Sequence, residues 1–76
     1  NVGIGYNALK ANTNAGSNVA VGSDSLDSNT VGINNSALGY ESGKNNQIGD
    51  YLTFLGANTS NSDWNMRSCH VYIYDI

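Results

Sequence analysis

Short apolar segments recur along this chain at one fixed distance. A five-residue pattern that alternates apolar with small residues and ends in glycine begins at positions 1, 18, 35 and 52. The period is therefore 17 residues, with no insertion or deletion. If these segments are extended, the second and fourth residues of each lie on one face of a strand. Each repeat thus predicts one short strand with an aliphatic face and a nearly bare opposite face.

Two positions of the repeat are constant in character. The fourth is always aliphatic and is predicted to form the structural core ladder of a dry interior: Ile4, Val21, Leu38 and Leu55. The fifth is always glycine and is predicted to provide bends: Gly5, Gly22, Gly39 and Gly56. The third position holds Gly3, Ala20 and Ala37, and then Phe54.

A second strand is predicted within each repeat, at residues 30–33 and again at 46–49. Seventeen residues then divide into two strands and two turns, which is one coil of a narrow solenoid. Helix is disfavoured because glycines interrupt every window and no apolar stripe of period 3.6 is sustained. The predicted fold is all-β, a parallel β-roll or β-solenoid with 17-residue coils.

Polar turn residues also fall into columns. The seventh position holds Asn7, Asp24, Glu41 and Asn58. The twelfth is predicted to form an Asn/Asp turn ladder: Asn12, Asn29, Asn46 and Asp63. Asn and Asp tolerate left-handed backbone and suit repeated corners, and amides stacked about 4.8 Å apart can bond along the column. Leu9 and Leu26 are predicted to turn inward at the first corner.

The repeat decays toward the C-terminus, which predicts two regions. Gly43 replaces the leucine of the ninth position, Phe54 replaces a small residue, and Trp64 and Met66 stand where polar residues stood. Terminal repeats of a stack are expected to be atypical because they cap it. Residues 1–68 are predicted to be a four-coil repeat region. Residues 69–76 alternate in character and are predicted to be a terminal strand or the start of a following element.

Length and composition indicate that the chain needs partners. With 76 residues it buries little surface alone, and its single cysteine, Cys69, excludes an internal disulfide. One histidine and one cysteine cannot build a structural zinc site. We therefore expect stabilisation from other chains. The chain begins inside a repeat and lacks an initiator Met, so we expect a segment of something longer or a mature piece.

Charge and hydropathy argue against several classes of partner. Charged residues make up 12% of the chain, about half the usual share, and the net charge is −3. This balance argues against nucleic acid and anionic membrane surfaces as partners. No apolar run approaches the roughly 20 residues of a membrane span, and no signal peptide is visible.

Catalytic and metal chemistry is poorly supported by the sequence. Cys69 and His70 would alternate across a strand and point to opposite faces, so a dyad is not expected. Asp24 and Glu41 share a column one coil apart; they either bind a cation or splay into water. The glycines around Ile4 precede no phosphate-binding helix. We predict that the chain is not an enzyme and has no cofactor and no metal.

Some surface features carry two interpretations. Asn34 and Asn58 begin glycosylation sequons, which matter only if the protein passes through a eukaryotic secretory route. Tyr6, Tyr40 and Tyr51 either stack on glycans or pack at a chain interface.

The repeats resemble a known class of protein. Residues 18–22, together with Gly5-Tyr6-Asn7-Ala8-Leu9 continuing to Asn12-Thr13, are similar to the head repeats of trimeric autotransporter adhesins. They are more similar still to repeats of phage and large-virus tail-fibre proteins, in which residues 53–59 match a variant coil near the end of the array. The resemblance covers about residues 1 to 60.

The resemblance implies a left-handed parallel β-roll in a homotrimer, outside the cell on a bacterial surface or on a virion. The implied function is a structural and adhesive fibre segment involved in host attachment, with a host surface glycan or protein receptor as a further partner. The alternative is the subunit of an extracellular filament that assembles end to end, because open ends and an alternating final strand can pair with another copy.

Overall fold

The structure is a computed structural model that describes residues 1–59 and, as strand backbone only, residues 70–73. No helix occurs in these residues. The five strands are β1 (Val2–Ile4), β2 (Val19–Val21), β3 (Ser36–Leu38), β4 (Leu52–Leu55) and β5 (His70–Ile73). The prediction of an all-β protein is confirmed.

The strands form one parallel sheet in chain order, β1-β2-β3-β4-β5. Val2 pairs with Val19, Val19 with Ser36 and Ser36 with Thr53, so the sequence period reappears as the offset between paired residues. The last pairing differs, because Leu52 pairs with His70, one residue further along the chain. The parallel arrangement predicted from the repeats is confirmed, and each connection, such as residues 5–18, crosses back to start the next strand.

In the described repeats the predicted second strand does not form; residues 30–33 and 46–49 are bends and irregular backbone. Side-chain amides occupy the bonding positions that a neighbouring strand would use. The carbonyl oxygen of Gly32 accepts hydrogen bonds from the Nδ2 atoms of Asn18 (2.8 Å) and Asn29 (3.0 Å). The connecting segments still stack, since the backbone N–H of Thr30 donates to the carbonyl of Gln47 at 3.0 Å.

The core lies under the opposite sheet face from the one predicted. Ile4, Leu38 and Leu55 are 59%, 51% and 43% exposed, whereas the third-position residues Ala20, Ala37 and Phe54 are buried. Consecutive residues of a strand point to opposite faces, so only one of the two columns can face the connecting segments. The prediction of a dry interior lined by the aliphatic core ladder Ile4, Val21, Leu38 and Leu55 is therefore wrong for the single chain.

The close approach of the connecting segment explains why small residues face inward. A Cβ atom built on Gly3 would lie 3.2 Å from the carbonyl oxygen of Ala8, in the segment that follows β1. Leucines of the ninth position fill the remaining space, as the sequence predicts: Leu26 is fully buried and Leu9 packs against the core. The core is thus a thin layer between the sheet and the connecting segments.

The third and fourth repeats fill this layer differently. Gly43 takes the place of the inward leucine, and the ring of Phe54 enters the space that the missing side chain leaves. A Cβ atom on Gly43 would lie 2.7 Å from Cδ2 of Phe54 and 2.9 Å from Cδ2 of Leu26. The exchange of a large residue between two positions keeps the core filled where the repeat pattern changes.

Candidate functional site

The fifth-position glycines have nearly the same backbone geometry in every repeat. Gly5, Gly22, Gly39 and Gly56 have φ angles between 115° and 132°. A Cβ atom on Gly22 would lie 2.5 Å from the carbonyl oxygen of Gly39, one repeat on, whereas one on Gly16 would meet nothing within 4 Å. These glycines are bends that also let the backbones of successive repeats stack closely.

Left-handed backbone follows at the seventh position, in Asn7, Asp24, Glu41 and Asn58, with φ between 56° and 62°. The Nδ2 atom of Asn7 donates to Oδ1 of Asp24 at 3.1 Å. The twelfth-position residues Asn12, Asn29 and Asn46 are not among the residues with positive φ. The seventh position therefore makes left-handed corners, as do the ninth and seventeenth positions, and the twelfth has another role.

The twelfth-position asparagines bond to one another inside the molecule. Asn46 donates from Nδ2 to Oδ1 of Asn29 at 2.9 Å, and Asn29 donates to Oδ1 of Asn12 at 3.5 Å. Each of the three also donates to a carbonyl three residues later, such as Gly49 for Asn46 at 3.2 Å. Asp63, the fourth member of the predicted turn ladder, lies outside the described residues.

A second asparagine column at the first position was missed by sequence reasoning. The Oδ1 atom of Asn1 accepts from the N–H of Asn18 at 2.8 Å, Asn18 from Asn35 at 2.9 Å, and Asn35 from Leu52 at 2.9 Å. Their Nδ2 atoms donate to the carbonyl at the fifteenth position of the same repeat, 14 residues later, such as Asn35 to Gly49 at 2.8 Å. The signal was available, because asparagine begins three of the four repeats.

Two of the acidic side chains in the turns, Asp24 and Glu41, have partners. Lys44 Nζ lies 3.3 Å from Glu41 Oε2, and Asp24 accepts from Asn7. The hydrogen bond and the charge of Glu41 raise the pKa of Lys44, and the same carboxylate raises the pKa of Tyr40. Among the described residues no group of three or more His, Cys, Asp or Glu could hold a metal ion.

The cysteine and the histidine, for which the sequence predicts no catalytic dyad, lie largely outside the described residues. Cys69 lies outside the described residues, and His70 is described only as backbone at the start of β5. Both sequon asparagines are exposed and have positive φ: 58° for Asn34 and 61° for Asn58. Tyr6, Tyr40 and Tyr51 are all exposed.

Charge is confined to one corner of each repeat. Five of the six charged side chains in residues 1–59 stand at the seventh or tenth position: Lys10, Asp24, Asp27, Glu41 and Lys44. The sixth, Asp50, is 6% exposed, and its Oδ1 accepts from the N–H of Ile33 at 2.9 Å. We call the turns that carry these five side chains, residues 6–10, 23–27 and 40–44, the charged corner.

The outer side of the sheet is apolar and carries no charge. Its second- and fourth-position side chains in β1–β4 are Val2, Ile4, Val19, Val21, Ser36, Leu38, Thr53 and Leu55. All but the half-buried Val21 are exposed. An open groove of about 250 Å³ runs across β2–β4 on this side. We call this surface the sheet face.

A second exposed apolar surface lies on the segment that leads back to the next strand. It consists of Val31, Ile33, Ile48 and Tyr51, which are all exposed. We call it the loop face. Sequence reasoning placed Tyr51 on the surface, but it assigned residues 30–33 and 46–49 to a second strand and therefore did not recognise Val31, Ile33 and Ile48 as surface.

No helix in the described part of the chain is long and apolar enough to cross a membrane. Comparison with protein-family models, with curated proteins and with solved structures finds no match to this chain. Its function must therefore be argued from the surfaces themselves.

Proposed function

We propose that this chain is a repeat segment of a trimeric fibre, outside the cell on a bacterial or virion surface, with a structural and adhesive role in host attachment. Its 17-residue repeats form stacked coils of a β-roll, three copies of which pack side by side. The observation that carries the proposal is the sheet face, an uncharged aliphatic surface that a single chain leaves in water.

The energetics of the single chain support a partner. Aliphatic side chains contribute roughly 25 cal/mol per Å² of apolar surface removed from water, and the sheet face gains none of this until it is covered. Burial in the interior contributes little apolar stabilisation, because its apolar core side chains are few and many of the other buried side chains are asparagine and serine. A chain with a thin core and an exposed aliphatic sheet gains stability by association.

The charged corner supports the same arrangement. It is the part of each coil that suits contact with water, and it carries the exposed Tyr6 and Tyr40. A side chain with an aromatic ring and a hydroxyl group can both stack and donate a hydrogen bond. We place the surface that meets a host glycan or protein receptor on this corner, away from the contacts between copies.

The mass of the assembly tests the proposal. One chain has a mass of 8.0 kDa. Gel filtration with light scattering on the full chain is expected to give three times that mass. Asn45 is exposed beside the charged corner, and Asn45→Asp is expected to leave that mass unchanged. A mass of one chain at all protein concentrations would refute the trimer.

The filament subunit remains the second candidate, and one observation favours it. Within the described residues β1 pairs only with β2, so its other edge offers unpaired backbone groups. If the chain polymerises end to end, electron microscopy will show fibres whose length grows with protein concentration. Discrete particles of one size would count against this candidate.

A further inference from the structure

We infer that the contact between copies joins two different surfaces: the sheet face of one chain packs against the loop face of the next. This inference rests on the proposed trimer and adds to it which surfaces meet. The simpler alternative is that all three sheet faces turn toward a common axis and contact only one another.

The distribution of charge supports two covered surfaces for each chain. Outside the charged corner the described residues expose no charged side chain, since Asp50 is buried. The loop face exposes two isoleucines, a valine and a tyrosine without a lysine or glutamate among them. If only the sheet face were covered, this second apolar surface would stay in water in the assembled fibre.

Matched spacing identifies a second copy as the occupant. Side chains on both faces recur at 17-residue intervals, as Leu38 and Leu55 do on the sheet face and Val31 and Ile48 on the loop face. Successive coils are separated by one strand spacing, about 4.8 Å. A copy lying alongside has the same spacing, so the loop-face side chains, which lie in the second and third repeats, meet the sheet face of the neighbour coil by coil.

A contact between two different faces is the kind that builds a cyclic trimer. A two-fold dimer uses the same patch on both subunits, whereas a cyclic trimer joins one patch to a different one. A chain that carries one apolar surface suited to each role can close such a ring. Around an axis along the stack, equivalent coils lie at one height, so Leu38 is expected to face Ile48 of the next chain.

Opposite charges introduced on the two faces test whether they pack against each other. Leu38 and Ile48 are 51% and 40% exposed, so Leu38→Asp and Ile48→Lys are expected to fold with the far-UV circular dichroism of the parent. Each substitution alone is expected to weaken assembly at least tenfold, because a charge then faces an apolar surface. Combined in one chain, they place Asp opposite Lys at every contact and are expected to restore the trimer at low salt.

The outcomes separate this inference from the proposed function. If Ile48→Lys leaves the trimer intact while Leu38→Asp abolishes it, the inference is overturned and the trimer stands. If the combined variant stays monomeric, the pairing is also overturned. If the parent chain is a monomer, both faces serve a different partner, and the inference and the proposed function fail together.

Cross-linking provides a measurement that does not need a disrupted interface. In a Cys69→Ser background, chains with Leu38→Cys are mixed with chains carrying Ile48→Cys and treated with a short bis-maleimide. Cross-linked dimers are expected in the mixture and not in either preparation alone. Dimers formed by the Leu38→Cys chains alone would show that sheet faces meet each other, and would overturn the inference.

Discussion

Asparagine has an unusual role in this molecule, because its side chains replace backbone partners in the interior. Asn18, Asn29, Asn35 and Asn46 are fully buried. Each carries a donor and an acceptor on one short side chain, so it can bond to a carbonyl of its own turn and to a group of the neighbouring repeat. The twelfth-position column was predictable, since the spacing places like residues one coil apart. The role of the first-position column depends on how the end of each repeat packs against its first residue, which the sequence does not show.

Asn35 is the best position at which to test this role. Asn35→Ala removes the acceptor for the Leu52 N–H and the donor to the Gly49 carbonyl, both of which are buried. An unsatisfied buried polar group costs about 1–3 kcal/mol, so we expect a loss of about 2–5 kcal/mol in the free energy of unfolding.

Urea denaturation followed by circular dichroism measures this loss. The matched control is Asn14→Ala, at an exposed asparagine, which is expected to change the free energy of unfolding by less than about 0.5 kcal/mol. Equal effects of the two substitutions would mean that the buried amide bonds add nothing specific.

At the scale of the strands and turns, the period could be predicted but the orientation could not. Alternation along residues 2–4 implies two faces without saying which is inside. The aliphatic column looked like the core, yet the space under the sheet accepts only small side chains because the connecting segment lies against it. The second predicted strand failed for a related reason: side chains take some of the bonds that a strand partner would provide, asparagine amides at the carbonyl of Gly32 and the Asp50 carboxylate at the N–H of Ile33.

The packing of Phe54 against Gly43 can be tested by placing a large side chain at position 43 and a small one at position 54. Phe54→Ala alone is expected to cost about 3–5 kcal/mol through the cavity it leaves. Gly43→Leu alone is expected to destabilise by collision with the Phe54 ring. Together they rebuild the arrangement around Leu26, whose φ of 51° shows that leucine accepts this backbone, so the double variant should be more stable than either single one.

A double-mutant cycle measures the coupling between the two positions. The free energies of unfolding of the parent, the single variants and the double variant are compared by urea denaturation. Additive losses would show that the phenylalanine does not fill the space left by the glycine.

At the scale of the whole molecule, charge and apolar surface are separated. The sequence showed few charges, but their confinement to one corner became visible only when the turns were placed around the sheet. Two uncharged apolar faces remain, and our proposals concern what covers them. The sequence also predicts that a short chain needs partners, and in our proposal the surface that they cover is the column that the sequence assigned to the interior.

This separation predicts how assembly responds to salt. Contacts between uncharged apolar faces are not screened by ions, so the dissociation constant of the assembly is not expected to rise between about 0.05 M and about 1 M NaCl. Light scattering at several protein concentrations measures it. Weaker association at high salt would indicate that the charged corner, and not the two apolar faces, forms the contact.

Because the offset between paired strands is constant, the length of the stack is set by the number of repeats. Each 17-residue step from β1 to β4 advances the stack by one strand spacing, about 4.8 Å, a rise that an α-helix covers in about three residues. A rod built in this way is short for its mass and thick for its length. Gaining or losing one 17-residue unit would change its length by a single fixed increment, so the number of such units in a gene acts as a ruler.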